Sequence, residues 1–200
     1  DYAEKNGIKY KRQSEYVEIN EDRAKRIAEA YDEMEHNPKD PEVKDAYDNL
    51  IKQTVSQYEA LLDAGYEFYL FDETNDPYDG SPWAAMEELR NDKKMGVFST
   101  VSGFGSGTTE LDVSNNPLLA ITDFKWGFGS LDGEKKIVLA NDLFRAVHDA
   151  LGHGIEGAGF RARGEENAWQ AHAAMYSPLA RRAMTTETRG QNSYVNFGPN

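Results

Sequence analysis

Three of the four histidines in this 200-residue chain lie close together in its last third. His148, His153 and His172 fall within 25 residues, and Glu165 and Glu166 lie between the second and the third. Imidazole and carboxylate groups are the ligands that zinc, iron and similar transition metals bind in proteins. The cluster therefore predicts a site for one divalent transition metal.

A helix is predicted to position the first two of these histidines. Asn141 is a suitable N-cap for a helix to about Leu151, and the apolar spacing places His148 on its inner face. Gly152 is then predicted to end the helix. His153 would lie just past that end, where a turn can direct its ring back toward His148. On a continuous α-helix, a separation of five residues would place the two rings on different faces.

A second helix, predicted to begin near Gly164, carries the candidates for a third ligand. On a helical wheel Glu165 lies about 20° from His172, in the middle of an apolar stripe, whereas Glu166 is displaced by about 120°. A carboxylate on an apolar face needs a cation or several donors, so Glu165 is the predicted third ligand. His172 lies about 10.5 Å from Glu165 along the axis. It is therefore predicted to orient a ligand or to act as an acid or base.

Further polar residues of this region are candidates for catalysis. The candidate catalytic residues are Asp149, Glu166, His172 and Arg189. The first three would serve as general acid or base, and Arg189, together with Arg161, suits an anionic substrate held by a bidentate contact. Glu187 is a rival third ligand, in a polar run over 185–193 that either lines a pocket mouth or forms a capped turn.

The segment His-Asp-Ala-Leu-Gly-His, residues 148–153, resembles the His-Glu-Leu-Leu-Gly-His iron motif of the aromatic amino acid hydroxylases. The resemblance implies that His148 and His153 bind a non-haem iron together with a later glutamate. In that family the glutamate follows at a distance that here reaches Tyr194, so the match is limited to the six-residue segment. The glutamates available downstream are Glu165, Glu166 and Glu187.

Two other resemblances lead to different expectations. Residues 148–153 are also similar to the metal-binding motif of zinc peptidases of the His-Glu-x-x-His type. Asp149 would take the place of their catalytic glutamate. Their histidines are one residue closer together, because the i, i+4 spacing of an α-helix directs both rings at one zinc. The run from His148 through Trp169 to Asn192 also resembles uncharacterised domains of large bacteriophage proteins, which implies a viral origin and no particular chemistry.

The composition limits the classes of partner and compartment. The chain contains no cysteine, so disulfides and thiolate ligands are excluded. The net charge is −13, and residues 141–200 hold six arginines and six acids, so the first 140 residues carry all of it. This acidity argues against nucleic-acid binding. No apolar run long enough to span a membrane and no leader are evident, and a soluble protein, cytoplasmic or virion-associated, is expected. The start at Asp1 suggests a piece of a larger polypeptide or assembly.

The periodicity predicts an α+β fold, a helix-dominated single domain with a small sheet and an N-terminal helical hairpin. Residues 1–65 would form an arm and the hairpin, and residues 66–200 a mixed α+β domain that carries the metal site, together one compact unit. Asn20 and Asp40 are the predicted caps of the two hairpin helices. Residues 103–108, which are rich in glycine, are predicted to form a flexible or tight loop, or a lid over a pocket. The predicted strands are 66–71, 95–101 and 136–140, and a third helix is predicted over 82–90.

Three functions agree with these patterns. The first is a non-haem iron oxygenase-like enzyme acting on a small or anionic substrate. The second is a zinc hydrolase acting on a small-molecule or peptide substrate, and the third is a structural or interaction domain without catalysis. The expected metal is iron in preference to zinc.

Overall fold

The computed structural model describes residues 2–13, 15–103 and 112–199. Residues 104–108 of the predicted glycine-rich loop lie outside the described residues. The α-helices are α1 (Tyr2–Lys5), α2 (Glu21–Asp32), α3 (Pro41–Asp63), α4 (Pro82–Asp92), α5 (Thr100–Gly103), α6 (Ala140–His148), α7 (Ala162–Ala173), α8 (Pro178–Thr185) and α9 (Gln191–Phe197). The strands are β1 (Glu67–Phe71), β2 (Lys94–Phe98), β3 (Ile121–Gly127) and β4 (Lys135–Leu139). Two π-helical segments follow α6 and α8, over Asp149–Gly154 and Thr186–Gly190. The prediction of a helix-dominated α+β fold is confirmed.

The strands form two sheets of two strands each, where one small sheet was predicted. β1 pairs in parallel with β2, and β3 pairs antiparallel with β4. β3 was not predicted, because it lies in a stretch whose turn residues dominate the pattern. Its own residues suit a strand, since Phe124 and Trp126 alternate with charged Asp123 and Lys125.

Packing groups the chain into two compact units, Thr54–Val147 and a second unit formed by Asp1–Gln53 with His148–Asn200. The predicted division at residue 65 stays a prediction. In the first unit, aromatic rings form the contact between β1 and β3. The rings of Phe68 and Trp126 stack with centres 5.6 Å apart, and the Trp126 indole nitrogen donates to the Tyr58 hydroxyl at 2.7 Å.

In the second unit, α2 packs chiefly against α9, near the other end of the chain. The predicted hairpin, in which α2 would pack mainly on α3, was therefore wrong. Periodicity identifies the apolar face of a helix but not the helix that covers it. Tyr31 of α2 contacts Tyr194 of α9, and their ring centres are 5.6 Å apart.

The caps of the first helices follow the prediction, but the start of α6 does not. The side chains of Asn20 and Asp40 accept hydrogen bonds from the backbone of the following helices. Asn141 is not the N-cap of α6, because that helix already begins at Ala140. Instead, the buried Asp142 carboxylate accepts hydrogen bonds from the backbone N–H of Leu139 at 2.9 Å and of Thr100 at 2.7 Å.

Among the described residues, no helix combines the length and the apolar character needed to cross a bilayer.

Candidate metal centre

The backbone between His148 and His153 is a π-helix. α6 continues directly into the π segment Asp149–Gly154, and the chain remains helical to Glu156. In a π-helix each N–H bonds the carbonyl five residues back, so residues five apart lie on the same face. The rings of His148 and His153 accordingly lie side by side, with centres 5.3 Å apart and planes at 84°. The predicted helix end at Gly152 was wrong, because the helix widens there instead of stopping.

Gly152 permits this arrangement because it lacks a side chain. A Cβ at this position would lie 3.1 Å from the Ala168 carbonyl oxygen of α7 and 3.3 Å from Cε1 of His148. Both distances are shorter than ordinary contacts of a methyl group. The glycine therefore lets the π segment approach α7 closely while the His148 ring stays in place.

We expect Gly152→Ala to destabilise the protein by about 1–3 kcal/mol, because the added methyl must displace the backbone of α7 or the His148 ring. The same displacement should weaken metal binding. Chemical denaturation and metal titration would measure both effects. Gly159→Ala is the matched control, since its Cβ would meet only the Tyr16 hydroxyl at 3.4 Å. Equal stability and affinity in the two variants would contradict the prediction.

α7 brings a carboxylate to the histidine pair. Oε2 of Glu165, in the first turn of α7, lies 3.3 Å from Nε2 of His153. His148, His153 and Glu165 each offer one ligand atom, and these three atoms lie within 4.8 Å of one another. The two histidines are buried, and the Glu165 side chain is 23% exposed. Of the glutamates considered, Glu165 is the one in this cluster.

The hydrogen bonding of His153 leaves a position for a cation beside Glu165. Nδ1 of His153 lies 3.3 Å from the Ala158 carbonyl oxygen, which can only accept, so Nδ1 carries a proton. Nε2 of a neutral ring would then direct a lone pair at the Glu165 carboxylate, an arrangement that requires a proton or a metal ion between them. Burial opposes protonation of His153. The hydrogen bond and charge of Glu165 outweigh it and raise the pKa of the ring above its ordinary value, with a further contribution from the charge of Asp149.

His172 contacts the histidine pair through His148. The Nδ1 atoms of His148 and His172 are 3.0 Å apart, so one ring donates to the other. Burial, reinforced by the neighbouring histidines, keeps the pKa of His148 well below its ordinary value. Burial and the charge of His153 lower the pKa of His172 to about 3. Both rings are therefore neutral at pH 7. If His148 is the donor, its Nε2 carries the lone pair that a metal would bind.

Two aromatic rings pack against the outer histidines. Phe160 stacks on His153 with ring centres 4.2 Å apart, and Tyr176 lies against His172 at 4.8 Å. His172 is fully buried and His153 nearly so. These contacts restrict the rings to a few orientations and reduce the access of water.

The predicted catalytic residues Glu166 and Arg189 pair with each other. Nη2 of Arg189 donates to Oε1 of Glu166 at 2.6 Å, and both side chains are only 16% exposed. The Arg189 guanidinium also lies over the Trp169 ring, 4.1 Å from its centre. Neither residue belongs to the histidine cluster.

The remaining predicted residues lie in different surroundings. Glu187 accepts a hydrogen bond from the Tyr47 hydroxyl, and burial raises the pKa of its carboxyl despite this bond. Asp149 is partly buried and follows His148 in the π segment. Arg161 is exposed and precedes α7.

Sequence reasoning did not identify two buried polar residues beside the cluster, Glu156 and Asn167. Both hold the N-terminal arm. Glu156 accepts from the Tyr10 hydroxyl and from the backbone N–H of Gln13 at 3.0 Å. The side chain of Asn167 accepts a hydrogen bond from the Val17 N–H (2.9 Å) and donates one to the backbone oxygen of Glu15 (3.0 Å). Such long-range partners leave no periodic signal in a sequence.

The donor set and its spacing suit a transition metal. Bonds of about 2.1 Å to one ion place neighbouring ligand atoms roughly 3–3.5 Å apart. The 3.3 Å between His153 and Glu165 already has this value. His148 belongs to the same cluster, with its ligand atom within 4.8 Å of the other two, and its ring would have to move closer to share one ion with them.

No protein-family model matches the chain, and neither a curated protein nor a solved structure is significantly similar to it. The resemblances inferred from short motifs are therefore not extended by these comparisons, and a functional argument depends on the site itself.

Proposed function

We propose that this chain is a mononuclear metal enzyme of the two-histidine, one-carboxylate type, with iron(II) as its metal. The observation that carries the proposal is the convergence of His148, His153 and Glu165, whose ligand atoms lie within 4.8 Å in a largely buried cluster. Three protein ligands on one side of an iron leave positions for oxygen and a substrate, which is how iron of this kind supports oxygenase chemistry.

The surroundings of the cluster favour iron over hydrolytic zinc. A zinc hydrolase needs a general base near the metal-bound water. Glu166 is engaged by Arg189, and the pKa of His172, about 3, makes that ring a weak base. An oxygenase would not need a side-chain base, and the rings of Phe160 and Tyr176, which pack against His153 and His172, would limit the access of water.

A zinc hydrolase is the second candidate, and Asp149 is the residue that supports it. Asp149 is partly buried, and its charge acts on His153. Asp149 would be the general base for hydrolysis of a small-molecule or peptide substrate.

Metal analysis and oxygen consumption test the proposal. The full chain, purified without chelator or affinity-tag nickel, is expected to bind one equivalent of iron(II) anaerobically and to change its spectrum when oxygen is admitted. Stoichiometric zinc retained in preference to iron, with activity lost in Asp149→Asn, would support the hydrolase instead. Failure to retain either metal would overturn both and leave an interaction domain.

A further inference from the structure

The turn that follows His153 is closed on itself and fixes the ring of that histidine. The backbone N–H groups of Gly157 and Ala158 donate to the His153 carbonyl oxygen at 2.8 and 3.2 Å. In return, Nδ1 of His153 lies 3.3 Å from the Ala158 carbonyl oxygen. This turn therefore holds the Nδ1 proton, and the orientation of Nε2 toward Glu165 depends on it.

The chain between α1 and α2, the N-terminal arm, binds the centre of this turn at Glu156. The buried Glu156 carboxylate accepts hydrogen bonds from the Tyr10 hydroxyl and from the backbone N–H of Gln13 at 3.0 Å. The Arg12 guanidinium donates to the backbone oxygen of Glu156 at 3.4 Å. Burial and the hydrogen bond to Glu156 raise the pKa of Tyr10, so its hydroxyl keeps the proton that it donates. A buried carboxylate requires donors, and the arm supplies two of them.

The same arm binds α7, the helix that carries Glu165. Asn167, two residues beyond Glu165, is buried. Its side chain accepts a hydrogen bond from the Val17 N–H at 2.9 Å and donates one to the Glu15 backbone oxygen at 3.0 Å. The arm therefore links the two elements across which His153 and Glu165 face each other.

A third contact of the arm lies between these two anchors. The Tyr16 hydroxyl accepts a hydrogen bond from the backbone N–H of Gly159 at 3.0 Å, in the loop that joins the turn to α7. That loop also carries Phe160, whose ring stacks on His153. The arm thus contacts the turn, the loop and α7, and each of these three segments supplies a partner of the His153 ring.

We propose that the N-terminal arm positions His153 and Glu165 for metal binding, with Glu156 as the positioning residue that anchors it. With the arm attached, the turn holds the Nδ1 proton of His153, and Nε2 faces Glu165. Without it, Glu156 would need water as its donor, which requires the turn to open, and the two ligands would separate. The inference rests on the proposed metal centre and extends it to Tyr10, which is 146 residues from Glu156 in the sequence.

Three variants of the full chain test the proposal, with zinc as the probe of metal affinity. Glu156→Leu keeps the approximate volume but removes both acceptors, and it should weaken zinc binding by about ten-fold. Glu156→Gln can keep both bonds, because its oxygen accepts from Gln13 and its amide donates to the Tyr10 oxygen, and it should retain most of the affinity. Glu88→Leu is the matched control, because Glu88 also accepts from a tyrosine hydroxyl but lies in the other compact unit. It should bind zinc as the parent chain does.

A second readout separates positioning from general stability. Nitrogen–proton NMR of the chain labelled at histidine follows the Nδ1 proton of His153, which the closed turn should protect from exchange with water. Its signal should be lost in Glu156→Leu and retained in Glu156→Gln and Glu88→Leu. This measurement needs no metal. If the parent chain binds no zinc or iron, the proposed function fails, and the proton exchange alone decides whether the arm positions His153.

Tyr10→Phe keeps the test valid if Glu156→Leu does not fold, because it removes one hydroxyl of the arm and leaves Glu156 in place. It should weaken zinc binding by a smaller factor. The inference is overturned if a folded Glu156→Leu protein keeps both the zinc affinity and the protected Nδ1 proton of the parent chain. It is equally overturned if Glu88→Leu changes both as much, since the effect would then follow from lost stability.

Discussion

His153→Ala is expected to reduce the affinity of the chain for a divalent metal by roughly a thousand-fold. His153 would supply one of three protein ligands. Structural zinc sites with four ligands gain about 10–16 kcal/mol on binding, roughly 3–4 kcal/mol for each ligand. The loss of one ligand therefore corresponds to two or three orders of magnitude in the dissociation constant. Calorimetric titration of the metal-free protein with zinc and, anaerobically, with iron(II) would measure it.

His36→Ala is the matched control, since His36 is exposed and is the one histidine that is neither a proposed ligand nor in contact with one through its ring, as His172 is. It should bind metal as the parent chain does. Circular dichroism on both variants separates loss of a ligand from loss of the fold. Unchanged affinity in a folded His153→Ala protein would exclude this residue as a ligand and, with it, the proposed centre.

Metal affinity is expected to increase with pH by about ten-fold per unit below the raised pKa of His153, with one proton displaced for each metal bound. The metal and the proton compete for the same position between His153 and Glu165. His148 and His172 should not contribute, because burial lowers the pKa of each ring so that both are already neutral in this range. Titrations in buffers of different ionisation enthalpy count the released protons.

The metal-free protein should show the opposite trend in stability. The folded-state pKa of His153 lies above its unfolded value, so the charged pair with Glu165 contributes fully below the unfolded pKa, near 6.5. That contribution is lost as pH rises through the folded pKa. Glu165→Gln removes the charge that raises this pKa, and burial should then lower it and move the pH dependence to more acidic values. Release of two or more protons on metal binding would show that His153 is not the only protonated ligand.

Local signals in the sequence were sufficient for several features of the fold and site. Asn20 and Asp40 cap their helices because capping needs only a side-chain oxygen and the next few backbone donors. The helical wheel selected Glu165 over Glu166, and the structure directs Glu165 to His153 and Glu166 to Arg189. A wheel separates these neighbours because consecutive residues on α7 differ by about 100°.

Features that depend on residues far apart in the sequence could not be predicted from local patterns. The pairing of α2 with α9 is a choice between apolar faces that periodicity does not distinguish. The buried Glu156 resembles an ordinary surface acid until the arm, with Tyr10, is placed beside it. The widened turn at Gly152 was interpreted as a helix end, because a glycine after an apolar run indicates that far more often.

The π segment also bears on how such a centre can be found and how it can arise. An α-helix presents two rings to one ion at a spacing of four residues, and a π turn does so at five. Deleting Ala150 would shorten the interval between His148 and His153 to the α-helical value while keeping both rings on one face. A single inserted or deleted codon therefore separates this arrangement from that of the His-Glu-x-x-His zinc peptidases. A search by fixed spacing would treat the two as unrelated, although both place two histidine rings on one face of a helix.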